Sequence, residues 1–419
     1  MELQMLARGS RRDRTVLAVL GGVVLVGLLG VCLIRLHAPR AVGGLPSGVI
    51  LTEWGGREEE LVWEQYNPTG RWEEGLWKTT LPFWMDAMGA VEVAPMQGMP
   101  IVGCWLSGMG DRGPILIHVD LVNNKRYTLD IKKATGIGEV KSIAANWTGE
   151  VCVGGLEGMG WFHNKSFTWT FYPVGSRGIL GPVTMLHFDR EGKLWAGGYI
   201  YPGDDEAKPI EGWISIYDGK TWKVWTEWLL YPYGKRNKVP LPPVWDIAFK
   251  EEVPIIATDR GLAFYNSGEG EIRNIEPDRS PPVAGRIEVA DTPVIKIFYD
   301  QTNSPWLIGG DPLRGGSYVS YVSESRTRRV EFAPTENPRW IHFGLERIWV
   351  VADQNIFLYN KSMYGEDVWK NGYIGGGPHG FLFDREGEVY FTGRLSLFRF
   401  DFDTYGDRYF WIYEVEHIT

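Results

Sequence analysis

Cysteine is scarce: the 419 residues include 3, too few for a disulfide framework. Cys32 lies in an apolar N-terminal run. Cys104 and Cys152 lie in the strand-like runs GMPIVGCW and GEVCVGG, where a small, buried apolar side chain is the simplest role. Long Ala/Leu/Glu/Lys runs of the kind that favour helices are missing as well. The formal net charge is −9, with no dense basic run beyond the N-terminal segment. Coating nucleic acid needs a surplus of Lys and Arg, so no nucleic-acid partner is expected. The chain has no Gly-x-Ser-x-Gly elbow, no P-loop and no dinucleotide fingerprint. Its histidines (His37, His118, His163, His187, His342, His379 and His417) show no i, i+4 pairing and no cysteine companions. No metal site, cofactor or catalytic set is therefore expected, and the chain reads as a non-enzyme.

What the chain does contain is 53 glycines, 20 tryptophans, 19 tyrosines and 18 phenylalanines. Aromatic residues suit pleated, half-buried surfaces and glycine suits tight turns, so the composition points to an all-β domain of many short strands. Residues 16–34, VLAVLGGVVLVGLLGVCLI, carry no charge. At about 1.5 Å per residue this run nearly spans a hydrocarbon core of about 30 Å. Arg8, Arg11, Arg12 and Arg14 precede it, whereas Arg35 and Arg40 follow. The positive excess places the N-terminus in the cytoplasm and the remainder outside. A cleavable signal peptide has an apolar region of about 7–15 residues and a small-x-small site, and residues 36–41 (LHAPRA) make a poor one. The expected organisation is a basic cytoplasmic N-terminus over 1–14, a transmembrane helix over 15–36, a linker over 37–47 and an extracytoplasmic domain over 48–419. That makes a single-pass cell-membrane protein.

The domain repeats itself. FDREGKLWAGG at 188–198 and FDREGEVYFTG at 383–393 are nearly identical. Weaker copies begin at residues 94, 145, 249, 299 and 343, so successive copies lie 40 to 61 residues apart. Self-similarity at this period marks a β-propeller, one four-stranded sheet per repeat. The clearest repeat places its strands at 183–188, 194–198, 213–217 and 222–226. The last places them at 379–383, 389–392, 397–400 and 409–413. Residues 48–82 resemble an outer hairpin without inner strands. They fit either a strand addition that closes the ring or part of an eighth blade, and the expectation is seven blades.

A strand followed by Asp-Arg-Glu-Gly, Leu-Trp-Ala-Gly and Ile-Tyr-Asp-Gly resembles the two-component-regulator propeller repeat, which is similar to streptogramin-lyase-like propellers. The resemblance is good at 183–226 and 379–413, fair at 141–172, and covers most of residues 90–419. It implies fold more than activity. In that family such repeats often form periplasmic sensor regions of hybrid kinases. These residues include no kinase part, so that signalling does not carry over.

Strand alternation decides which loops meet. Turns joining strands one-two and three-four share one face and are short here. Loops joining two-three, and blade to blade, share the other and are long, and long loops on a rigid scaffold commonly carry binding. On that face stand Asp111, Arg112, Asp204, Asp205, Glu206, Asp259, Arg260, Asp311, Arg314, Asp353 and Arg394. Asp111-Arg112, Asp259-Arg260 and Asp311 with Arg314 are expected to form ion pairs around the channel mouth. Trp195, Trp306 and Trp349 recur at equivalent second-strand positions, where a large ring packs between blades. Trp105, Trp161, Trp245 and Trp340 instead reach towards the loop face, where exposed rings suit sugar or peptide.

The expected function is a membrane-anchored protein-interaction or scaffold module. A glycan or small-ligand receptor is the alternative, and it requires those four tryptophans around a groove. A lyase-like enzyme needs a histidine and a carboxylate within hydrogen-bond reach in an open pocket.

Overall fold

The computed structural model describes residues 50–413 apart from 54–56, 63, 66–75, 81–92, 96–102, 111–112, 122, 147, 164–165, 167, 202–210, 231–236, 276–291, 312–314, 324–325, 333–336, 345–346, 354, 362–366, 374–377, 386–387, 394–395 and 402–410. The expected transmembrane helix over 15–36, with its flanks 1–14 and 37–47, lies outside the described residues. Among the described residues no helix is long and apolar enough to cross a membrane.

The described strands form seven sheets in chain order, the pattern of an all-β propeller. Each repeat runs antiparallel from its innermost strand outward. The third sheet shows the plan: Val183–Phe188, Leu194–Ile200, Glu211–Tyr217 and Trp222–Trp225. The hydrophobic core is divided into layers between successive sheets. Trp105 and Phe162 meet between the first and second, Trp161 and Phe188 between the second and third, and Trp306 and Tyr359 between the fifth and sixth.

Both halves of the repeated motif have an architectural cause. In DREGKLW, the Asp189 carboxylate closes the turn between strands one and two. Its Oδ1 accepts the Glu191 and Lys193 N–H groups at 3.0 and 2.8 Å, and its Oδ2 accepts the Trp195 indole N–H at 3.0 Å. Asp300 repeats this with Thr302, Ser304 and Trp306. Asn146 holds the same turn through Thr148 and Glu150. The Gly-Gly that ends the second strand meets a β-bulge. The inner strand carries an extra residue between Val140 and Ser142, Val183 and Met185, Val244 and Asp246, Val294 and Lys296, and Pro338 and Trp340. There the chain entering the inner strand presses on the second strand. A Cβ on Gly155 would strike the Glu139 carbonyl, and one on Gly198 the Pro182 carbonyl, so only glycine fits.

Strands from outside the repeats cover the rim. Ile50–Glu53 pairs with Thr168–Pro173 of the second sheet, Arg57–Glu60 with Lys125–Asp130 of the first, and Leu76–Thr80 with Ser396–Asp401 of the seventh. The N-terminal segment therefore crosses the ring closure, with no eighth sheet among the described residues. Leu61 anchors it: the side chain is buried, its N–H donates to the Asn124 carbonyl, and its carbonyl accepts from Asn124 Nδ2. Arg126 Nε donates to Glu59 at 2.8 Å beside it. The last repeat departs from the sequence expectation. Trp411–Tyr413 joins Asp367–Tyr373 of the sixth sheet, and Leu76–Thr80 takes the fourth place in the seventh. A four-residue pairing pattern fixes strand type but not which edge the strand meets, because outer edges of neighbouring blades offer the same free backbone groups.

Candidate functional site

The bulges set the level at which side chains enter the axial channel. The first position after each bulge carries Ser142, Met185, Asp246, Lys296 and Trp340 in sheets two to six. Three residues further, towards the short-turn face, stand Ala145, Phe188, Phe249, Tyr299 and Phe343. These two levels line one cavity of ≈ 400 Å³, with Thr184, His187, Phe298, Asp189 and Arg190. Its wall mixes apolar side chains with polar groups in similar measure.

Several of the polar groups are held by a particular partner. Thr184 donates to the Val244 carbonyl at 2.6 Å and Asp246 accepts the Ile297 N–H at 3.0 Å, so both stitch one inner strand to the next. Lys296 places its ammonium 5.4 Å from the Trp340 ring centroid, and Phe298 packs edge-on against the same ring. His187 stacks on Phe249 with centroids 4.8 Å apart, and burial pulls its pKa down to about 4 against the pull of Asp189. The cavity imidazole is therefore neutral at pH 7. Ser142 and Tyr299 differ from the rest. Ser142 Oγ and Tyr299 Oη are both buried with no hydrogen-bond partner within the chain, and burial pushes the Tyr299 pKa up. They are the unsatisfied polar atoms among the described lining residues. Among the described residues no group of three His, Cys, Asp or Glu side chains is placed to hold a metal ion.

The residues expected on the long-loop face fall into three groups. Asp111, Arg112, Asp204, Asp205, Glu206, Arg314 and Arg394 lie outside the described residues. Trp105 and Trp161 are buried at 5% and 8% exposure and pack between sheets. Trp105 sits within the second strand and Trp161 within the third, and on both the pleat turns the ring into the layer between blades. The glycan reading loses those two rings. The remaining residues make an unexpected pattern. Asp259 follows the second strand of sheet four and accepts from the indole of Trp245, the bulge residue, at 3.3 Å. Asp353, its equivalent in sheet six, accepts from the bulge residue Arg339 at 2.7 Å and from Asn337 at 2.7 Å. The recurring acid thus clasps the bulge to the loop of its own blade. Burial holds the Asp259 carboxyl above its usual range; Trp245 and Arg260 work the other way, and the charge of Asp311 adds to the rise. Arg260 and Asp311 are exposed. Of the four tryptophans, Trp340 alone lines the axial cavity.

Apart from Trp340 and His187, the cavity residues do not stand out in the sequence. The signal was present: VTMLHF, VWDIAF and VIKIFY each place a polar or charged residue within a mostly apolar inner strand. A central strand that keeps His187, Asp246 or Lys296 has somewhere polar to put it.

No protein-family model and no curated protein sequence matches the chain. Solved structures do. YCF48 bound to D1 peptide aligns with a TM-score of 0.50 at 10% identity, over 80% of this chain and 98% of that one. Virginiamycin B lyase from Staphylococcus aureus aligns with a TM-score of 0.49 at 12% identity, over 77% of this chain and 98% of the lyase. PorZ, a surface component of the type-IX secretion system of Porphyromonas gingivalis, aligns with a TM-score of 0.43 at 15% identity, over 87% of this chain and 48% of PorZ. At these identities the likeness is one of fold, and the class it defines is the β-propeller.

Proposed function

We propose that the chain is a non-enzymatic interaction module, tethered to the membrane by residues 15–36, whose extracytoplasmic propeller seats a segment of a partner protein in the axial cavity. The observation that carries this is the ≈ 400 Å³ cavity itself, lined by the inner strands of five sheets. A bound segment fills the space between Phe249, Phe298, Trp340 and Phe343 with its side chains, beside the Lys296 ammonium. The volume sits near the low end of ligand pockets, about 300–1,000 Å³, which suits two or three side chains rather than a large cofactor. YCF48, a protein of similar fold, has been solved with a peptide bound, which supports the reading by analogy. A neutral imidazole with a pKa of about 4 is a weak general base at pH 7, and Asp189 is committed to its turn. Both weigh against the lyase reading. Trp340, half-buried in the same wall, favours a small ligand or glycan as the second reading.

The test is affinity capture of the full chain from native membranes beside the Lys296→Glu and Trp340→Ala variants. A stoichiometric protein that wild type retains and both variants lose supports the proposal. A partner retained equally by all three overturns the cavity as its site.

A further inference from the structure

In five of the seven sheets a strand from outside the repeat covers the outer edge. Among the described residues two outer edges carry none, Trp222–Trp225 and Arg326–Glu331. The first has four residues, and Trp225 is tied to the Gly270 carbonyl of the next sheet. The second reads RTRRVE, six residues without proline or glycine, with three arginines and one glutamate in a chain of net charge −9. It runs in unbroken register with its neighbour, from Tyr318↔Glu331 to Ser323↔Arg326.

That register decides where its backbone points. The Phe332 N–H donates to the Ser317 carbonyl, so even-numbered residues spend their backbone groups on the neighbouring strand. Thr327, Arg329 and Glu331 turn theirs outward. A long, regular edge of this kind is a template for another strand, which natural proteins ordinarily blunt or cover. On this rim the chain covers its other edges with its own segments. The guanidinium of Arg329 lies 3.6 Å from the Tyr318 ring centroid, and Arg328 Nε is buried with no hydrogen-bond partner within the chain.

We propose that Arg326–Glu331 receives an extended, acidic strand of a partner protein by strand addition to the fifth sheet. Main-chain hydrogen bonds from Thr327, Arg329 and Glu331 give affinity, and the strand's net positive charge, three arginines against the one glutamate that Arg329 pairs with at 2.6 Å, favours an acidic partner. A second copy of the chain is the poorer occupant, since pairing RTRRVE with itself sets arginine against arginine. This rim surface is separate from the axial cavity, and the proposal stands whether or not that cavity takes a ligand.

The probe is a capped, fluorescein-labelled peptide of seven alternating glutamate and valine residues, with a lysine–valine peptide beside it. Both are titrated by anisotropy against the full chain in mild detergent. The glutamate peptide is expected to bind about tenfold or more tightly than the lysine peptide. Hydrogen exchange at Thr327, Arg329 and Glu331 slows on binding. Thr327→Pro removes one outward donor without touching the inner ladder, because edge strands tolerate proline where the N–H faces solvent. It is expected to weaken binding about tenfold with an unchanged circular dichroism spectrum. Equal affinity for the two peptides, or full affinity in a folded Thr327→Pro variant, overturns the proposal. If the variant does not fold, exchange on wild type decides: protection elsewhere overturns it. Concentration-dependent protection of these amides without peptide overturns it in favour of a second copy.

Discussion

Removing the carboxylate of Asp189 tests whether the repeated motif is a structural lock. Asp189→Ala deletes three hydrogen bonds, two from the turn N–H groups of Glu191 and Lys193 and one from the Trp195 indole. Bonds to a charged acceptor are worth about 1.5–3 kcal/mol each when protected, and less where water replaces them. Glu191 is exposed, so water takes over its bond cheaply. Trp195 is 4% exposed and packs against Phe249 and Tyr265 of the next sheet, so its N–H is left without a partner in a dry layer. That orphan alone costs about 1–3 kcal/mol, and the whole substitution about 3 kcal/mol. Denaturant unfolding of the full chain in mild detergent measures it. A cycle with Trp195→Phe isolates the indole bond, because phenylalanine keeps the ring contact and drops the donor. The expected coupling is about 1 kcal/mol, well outside the few tenths that independent sites show. Asp189→Asn keeps an acceptor and should lose less than alanine. A loss below about 0.5 kcal/mol for Asp189→Ala, the range of ordinary surface substitutions, refutes the lock. So does additivity in the cycle.

The depressed pKa of His187 predicts a pH dependence. Folding favours its neutral form, so the unfolded chain binds the extra proton between its ordinary pKa of 6.5 and about 4. The stability from burying neutral His187 is complete above pH 6.5 and is lost as pH falls to about 4; unfolding midpoints should show this slope, and His187→Gln should flatten it. Leu61→Ala removes the buried anchor of the N-terminal segment, with an expected cost of about 2 kcal/mol. Limited proteolysis should then cut between residues 48 and 82 at an early time, whereas unchanged cleavage would mean that Leu61 does not hold the segment.

Much of the architecture was legible because the repeat writes its geometry into particular residues. Asp189, Asp300 and Asn146 stand where a hairpin needs an acceptor for its own N–H groups. Gly155 and Gly198 stand where a second backbone approaches too closely for any side chain. Trp195 and Trp306 stand where a ring fills the space between sheets. Local rules act on each of these positions, so one sequence suffices to find them. The fourth strand of the last sheet was not legible. Leu76–Thr80 reaches it across the ring closure, and nothing local to residues 409–413 says that they leave their own repeat for the sixth sheet.

The site was harder to read for a related reason. Trp105 and Trp161 were assigned by position along the repeat, but one step of the pleat sends a side chain from the loop rim into the layer between blades. Asp259 and Asp353 did recur as expected, and their partners are the bulge residues Trp245 and Arg339, which become neighbours only because the inner strand carries an extra residue. Asp246, Lys296 and Trp340 belong to separate repeats, about 50 residues apart, and converge only when the ring is assembled.

The most direct test of the central claim is site-specific photo-crosslinking from the cavity wall. A benzophenone amino acid at Phe343, in the full chain in native membranes, reaches whatever occupies the space beside Tyr299 and Trp340. The account predicts one protein adduct, mapped to a single short segment of the partner and reduced when Lys296→Glu is combined with it. Adducts spread over many proteins, or a chain recovered without a protein adduct, would contradict it.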